Sequence, residues 1–208
     1  MNNEVLNAGA DPMGAAIYDY HFNGDADTLI VHSSMFEDDE IPVPDLFRSF
    51  EDMPELEKIA LEEAEGRILD VGAGSGCHSI ALSELGKEAV AIDISPLSVE
   101  VMCDRGVDAR QINLYDESFT EKFDTVLMLM NGTGIIGTLD NMPAFFTRIR
   151  QLLSPGGSLI IDSSNLYSPT FVQKMNMEQI NEVADAYGRA VELAIEAGFD
   201  AIEIHAGH

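Results

Sequence analysis

The chain has 208 residues, enough for one core of ordinary size, and carries 37 acidic against 11 basic side chains for a net charge of −26. That charge repels phosphate backbones, and the only close basic pair, Arg148 and Arg150, reads as helical spacing on a solvated face, so nucleic acid is excluded as a partner. No apolar run approaches the roughly 20 residues of a membrane span, no signal-peptide pattern opens the chain, and two cysteines make no disulfide framework, so a cytoplasmic protein without a membrane partner is expected.

In chain order, residues 1–11 read as a loose terminus. A short helix from Pro12 to Phe22 carries Tyr18, Tyr20 and His21, and an acidic loop punctuated by Pro42 and Pro44 is expected to be solvated over 37–45. The spacing over 46–65 predicts one helix with Leu56, Ile59 and Ala60 inward and Gly66 as its stop. Strands are then expected near 67–71, 88–93, 109–112, 123–129 and 158–162, with helices near 77–86, 96–105 and 139–153. This alternation predicts an α/β fold with a doubly wound, mostly parallel sheet in three α/β/α layers.

The densest signal is Ile68-Leu-Asp-Val-Gly-Ala-Gly-Ser-Gly76. An apolar run with one acid reads as the end of a buried strand. The alternate glycines let the backbone turn and approach a ligand, and the helix from Cys77 points its N-terminus at that ligand. The spacing is G-x-G-x-G. A dinucleotide fingerprint would put its third glycine at Cys77, and no Gly-Lys-Ser/Thr follows for a phosphate loop. Asp93 ends the next strand, 19 residues past Gly74, where a carboxylate can accept ribose hydroxyls; on that feature alone NAD stays open. Cys77 itself reads as a small buried residue in the first turn of its helix.

These nine residues resemble the first motif of the class I S-adenosylmethionine-dependent methyltransferases. Asp93-Ile-Ser-Pro96 resembles their second motif, and Leu152-Leu-Ser-Pro-Gly-Gly-Ser-Leu-Ile-Ile161 the helix-turn-strand that ends their core. The resemblance covers about 53–164 and implies a Rossmann-like core that binds S-adenosyl-L-methionine and methylates an acceptor. It implies that Asp70, Gly72, Ala73, Gly74 and Gly76 cradle the methionine part, that Asp93 holds the ribose, and that Ile94 packs on the adenine. Asn113, with Asp116 as alternative, would meet the adenine edge, and Met130 and Asn131 would floor the transfer site. Leu129-Met-Asn-Gly-Thr-Gly134 lacks the Asn/Asp-Pro-Pro-aromatic pattern associated with methylation of bases, so a small-molecule acceptor is expected.

No catalytic base is assigned. Tyr18, Tyr20 and His21 are candidates for a lid, Asp162 follows the fifth strand where substrates approach, and His78 reads as a packing residue. The expected division is an N-terminal segment over 1–66, the core over 67–164 and a helix-strand segment over 165–208. The helix should run over 177–197 with Val183, Tyr187, Val191 and Ala194 on one face, followed by a strand over 199–204. Glu196-Ala-Gly-Phe-Asp-Ala-Ile-Glu-Ile-His-Ala-Gly-His208 also resembles a fragment of the old yellow enzyme and enoate reductase barrels, so the C-terminal part is expected to be truncated or foreign to the core. A cofactor-binding but inactive domain is therefore an alternative function, and flavin and metal sites are not expected; His205 and His208 lack further ligands.

Overall fold

Apolar runs that end at glycine or acid become the strands of one sheet. The computed structural model describes residues 4–25, 28–32, 38–163 and 177–199, without the side chains of 177–180 and 182–184. Strands β1 (Thr28–Val31) and β2 (Asp39–Pro42) form an antiparallel hairpin. Strands β3 (Arg67–Val71), β4 (Glu88–Asp93), β5 (Ala109–Gln111), β6 (Phe123–Met128) and β7 (Leu153–Ile161) form a parallel sheet in the order β5-β4-β3-β6-β7. The order reverses between β3 and β6, so a crevice is expected outside their carboxyl ends.

Alternation along each strand divides the core. Leu69, Val71, Val126 and Met128 face α5 (Met142–Leu152) and the end of α6 (Met177–Glu196), through Phe145, Phe146, Ile149, Leu193 and Ala194. Ile68 and Leu127 face the other way, onto Ala60 and Leu61 of α2 (Glu55–Glu63) and Ala81 and Leu82 of α3 (Cys77–Glu84). On that same face Met102 of α4 (Pro96–Asp104) packs on Ala91. Helix α1 (Pro12–Asn23) lies outside, where Ile17 packs with Leu46 and Val101.

Three local expectations are corrected. The single helix over 46–65 is two 3-10 turns, Val43–Phe47 and Phe50–Asp52, and then α2, because Pro54 has no N–H for a continuous ladder and sits at the N-cap. As a result Ile59 is exposed, and Glu57, Ala60 and Leu61 point inward. The acidic segment over 37–45 is only partly solvated: Asp39–Pro42 pairs with β1, and Val43 is fully buried.

Arg148 is also not on a solvated face. It is buried, and its guanidinium donates to the carbonyls of Leu114, Asp116 and Phe119 at 2.6–2.7 Å, closing the connection between β5 and β6. The same device recurs. Lys87 caps the end of α2 on the carbonyls of Leu61, Glu62 and Ala64, Lys122 caps α5 on Gln151, and Arg150 reaches Ala197 past the end of α6. Phe199 packs edge-on against Phe146 at 5.4 Å, so the end of α6 is docked on α5. Beyond Phe199, the strand expected over 199–204, with His205 and His208, lies outside the described residues.

Candidate functional site

At the exit of β3 three glycines adopt left-handed backbone, with φ of 72° at Gly72, 58° at Gly74 and 81° at Gly76. Gly76 faces inward: a Cβ there would lie 2.9 Å from Met102 Cγ. Gly72 and Gly74 face outward, and a Cβ on either would meet only side-chain tips, Ile135 Cδ1 at 3.0 Å and Ile17 Cδ1 at 3.8 Å. The loop is anchored from behind. Asp70, 1% exposed, accepts from Ser79 Oγ at 2.7 Å. Ser75 Oγ donates to the Leu46 carbonyl, and Arg105 donates to the Ser75 carbonyl at 2.6 Å. Burial pushes the Asp70 carboxyl above its ordinary range. Ala73 is buried beside Ala91 and Met102, so only its backbone belongs to the loop surface.

Asp93 ends β4 beside this loop. Its two oxygens accept from Gly74 N and Ser95 N, each at 2.9 Å. Burial, with Asp11 and Asp70 nearby, raises its pKa against those hydrogen bonds. Asp11, the N-cap of α1, takes Ser95 Oγ at 2.5 Å, which ties α1 to the start of α4. Ile94 is exposed next to Asp93. An extended N-terminal stretch crosses this end of the sheet: Leu6 N donates to Ile94 O at 2.9 Å, Gln111 donates to Leu6 O, and Asn113 Nδ2 donates to Glu4 O at 2.7 Å. Asn113 Oδ1 accepts from Tyr115 N, so both ends of its amide are engaged.

The exit of β6 is built differently. Met130 and Asn131 hold φ of 59° and 65°, the only non-glycine residues with positive φ among those described. Left-handed backbone costs an L-residue about 1–2 kcal/mol. Asp162, just past β7, faces the turn and accepts from Met130 N at 3.0 Å and Gly132 N at 2.9 Å. Hydrogen bonds to a charged acceptor contribute about 1.5–3 kcal/mol each, enough to hold such a turn. Main-chain bonds from Asp162 N to Met128 O and from Thr133 N to Asp162 O complete the link. Met130 is exposed, and Ile135 leans from this side over Gly72. Ile94, Met130 and Ile135 are thus exposed apolar side chains along the carboxyl edge of the sheet, which also carries the Asp93 and Asp162 carboxylates.

Under the start of α3 lies a group that sequence spacing did not indicate. Arg48 donates to both Glu57 oxygens at 2.5 and 2.6 Å, and His78 Nε2 meets Glu57 Oε2 at 2.8 Å. Burial alone would raise the Glu57 carboxyl; the His78 and Arg48 hydrogen bonds outweigh it and hold the pKa below the ordinary value. His78 is a buried packing residue as expected, but with an ionic partner. The neighbouring Cys77 thiol is pushed up to about 11, chiefly by burial, which makes it a poor nucleophile. The aromatic lid candidates of α1 are engaged elsewhere: His21 binds Asp104 at 2.8 Å, Tyr20 packs on Phe47, and Tyr18 packs on Phe22.

The structure therefore gathers Gly72, Gly74, Asp93, Ile94, Met130 and Asn131 along the carboxyl edge of β3, β4 and β6, and leaves Tyr18, Tyr20 and His21 in other contacts. Ile17, Ile135, Arg48 and Glu57 join the site only through tertiary packing; Asp11, expected at the end of a loose terminus, instead caps α1 and takes Ser95 Oγ. A family model described as a methyltransferase domain matches residues 47–194. Among solved structures, the chain is similar to an S-adenosylmethionine-dependent methyltransferase from Bacteroides fragilis in complex with S-adenosyl-L-homocysteine. Identity is 62%, the TM-score is 0.73, and the match covers 76% of this chain and 67% of that one. It is 33% identical over 106 residues to the cypemycin N-terminal methyltransferase of a Streptomyces species, covering 49% of this chain and 43% of that protein. The ubiquinone biosynthesis O-methyltransferase of Xanthomonas oryzae pv. oryzae (strain PXO99A) is 28% identical over 109 residues, covering 50% and 46%. The chain spans about half the length of the curated relatives it matches.

Proposed function

The chain belongs to the methyltransferase domain family, and from that membership we propose that it transfers the methyl group of S-adenosyl-L-methionine to a small-molecule acceptor. One observation carries the cofactor: Gly72 and Gly74 turn left-handed where a Cβ would meet only the side-chain tips of Ile135 and Ile17, directly beside a carboxylate that ends the next strand. That cradle suits a ligand that approaches the backbone closely and presents ribose hydroxyls to Asp93. When bound, the sulfonium supplies an electrophilic methyl group for in-line displacement.

This chain's own residues bind and orient. Gly72, Gly74 and Gly76, with the backbone of Ala73, shape the methionine cradle, and Asp70 is its buried footing. Asp93 accepts the ribose hydroxyls, for which each oxygen retains a lone pair beyond its backbone N–H. Ile94 gives the adenine an apolar face, and Asn113, whose amide is already engaged by Glu4 and Tyr115, shapes the adenine edge through the N-terminal stretch. Met130 and Asn131 floor the transfer site, where a fixed, water-poor geometry lowers the barrier; orientation supplies about 7–11 kcal/mol in favourable cases. No side chain is assigned as base.

The names of the curated relatives support small-molecule acceptors, and the cysteine usage and net charge support a cytoplasmic location and a partner other than nucleic acid. Among the described residues no helix is long and apolar enough to cross a membrane. The division into 1–66, 67–164 and 165–208 is proposed with α6 as part of the fold. Its support is the burial of Leu193 and Ala194 against α5, whereas the barrel-fragment reading rests on the wording of 196–208 alone. Deleting 170–208 should therefore lower the Tm; an unchanged Tm removes that support.

Calorimetry with S-adenosylhomocysteine and with NAD tests the cofactor. Binding of the first and not the second is expected; the reverse would make the chain a nicotinamide protein. Binding without turnover across a screen of small-molecule acceptors would favour the inactive alternative.

A further inference from the structure

We propose that Asp162 is a positioning residue that fixes the floor of the transfer site by holding Met130 and Asn131 in left-handed backbone, an inference that rests on the cofactor reading above. The sequence made Asp162 a candidate to touch substrate directly. The geometry assigns its carboxylate to the main chain instead: one oxygen receives Met130 N at 3.0 Å and the other Gly132 N at 2.9 Å. The backbone of Asp162 adds a bond in each direction, to Met128 and from Thr133, so the turn is stitched to the end of β7 before and after the strained pair. Asparagine accepts left-handed backbone readily, but methionine does not, and its φ of 59° needs an external partner. Gly132 fits the same design, since a Cβ there would lie 2.7 Å from Met128 Cβ and would force the turn off the acceptor. Burial raises the Asp162 pKa against the pull of those N–H groups, so its ionised form is a cost to the fold that the turn's geometry justifies.

Asp162→Asn keeps one carbonyl acceptor but sets an amide nitrogen against a main-chain N–H; Asp162→Ala removes both acceptors. The full chain and both variants are compared by amide ¹H–¹⁵N spectra, thermal melting and calorimetry with S-adenosylhomocysteine. For Asp162→Asn the Met130, Asn131 and Gly132 amides should move, the Tm should fall by no more than a few degrees so that the variant is fully folded at the temperature of the calorimetry, and affinity should nevertheless fall roughly tenfold; the alanine variant should lose more. Unmoved amides overturn the proposal. So does wild-type affinity in Asp162→Asn, and so does an affinity loss that only follows a fall in Tm, which is what a purely structural role would give. If the wild type binds no S-adenosylhomocysteine, the cofactor reading fails, and the amide shifts still decide whether Asp162 holds the turn.

Discussion

At the exit of β3 the chain turns on glycine, with Gly72, Gly74 and Gly76 adopting positive φ without penalty. At the exit of β6, the neighbouring strand, it turns on Met130 and Asn131, and the turn is held by a carboxylate that arrives 32 residues after Met130. The first loop carries its conformation in its own residues. The second borrows it from another strand. A glycine loop therefore tolerates loss of its neighbours better than loss of a glycine, and the β6 exit behaves in the opposite way.

Gly74→Val tests the first half of that contrast most severely. A branched residue at φ 58° is strained wherever it sits, and its side chain would fill the open side of the cradle. S-adenosylhomocysteine binding should vanish in calorimetry while circular dichroism remains that of the wild type; retained binding would break the contrast.

Glu57→Gln asks whether the glycine side also leans on a remote contact. It strips the carboxylate from half-buried Arg48 and buried His78 under the start of α3, a loss of about 3–5 kcal/mol, or roughly 6–20 °C in Tm. Because the folded pKa of Glu57 is depressed, its contribution is fully present above the ordinary carboxylate pKa and is lost as pH falls through the folded value. Stability of the variant, followed by melting between neutral and acid pH, should lack that part of the acid slope.

Asp93→Ala acts on binding rather than on stability and gives the sharpest comparison. Asp93 accepts two N–H groups just as Asp162 does, yet one of them belongs to a glycine that needs no help to turn. Affinity for S-adenosylhomocysteine should fall by the ribose hydrogen bonds, each about 1.5–3 kcal/mol, while the amide resonances of the loop beyond its immediate neighbours stay in place. Unchanged affinity would remove Asp93 from the ribose role.

The same contrast explains what the sequence discloses. The strand of Arg67–Val71, the glycine loop and Asp93 are legible because their conformation and chemistry are local: apolar residues, residues free of Cβ, an acid at a strand end. The β6 exit was located by spacing, but nothing in Met130-Asn-Gly132 announces positive φ in two residues, since the cause lies at Asp162. Charge at helical spacing looks solvated in a sequence, and at Arg148 only the folded connection over 114–119 supplies the three carbonyls that draw the side chain inside. The helix predicted over 46–65 breaks at Pro54, where a residue without an N–H overrides the apolar periodicity.

The placement of the basic side chains has a consequence for the molecule as a charged body. Arg105, Lys87, Lys122, Arg148 and Arg150 are turned toward carbonyl oxygens at loops and the ends of helices. With a net charge of −26, the surface field is close to that of a single sign and is balanced mainly by a cloud of mobile counter-ions. Because that cloud thins to a screening length of about 8 Å at physiological salt, dilute buffer should let the chain's self-repulsion act over much of its own width. Ionic strength then becomes a control on how tightly the N-terminal stretch that carries Glu4 lies against the carboxyl edge of the sheet.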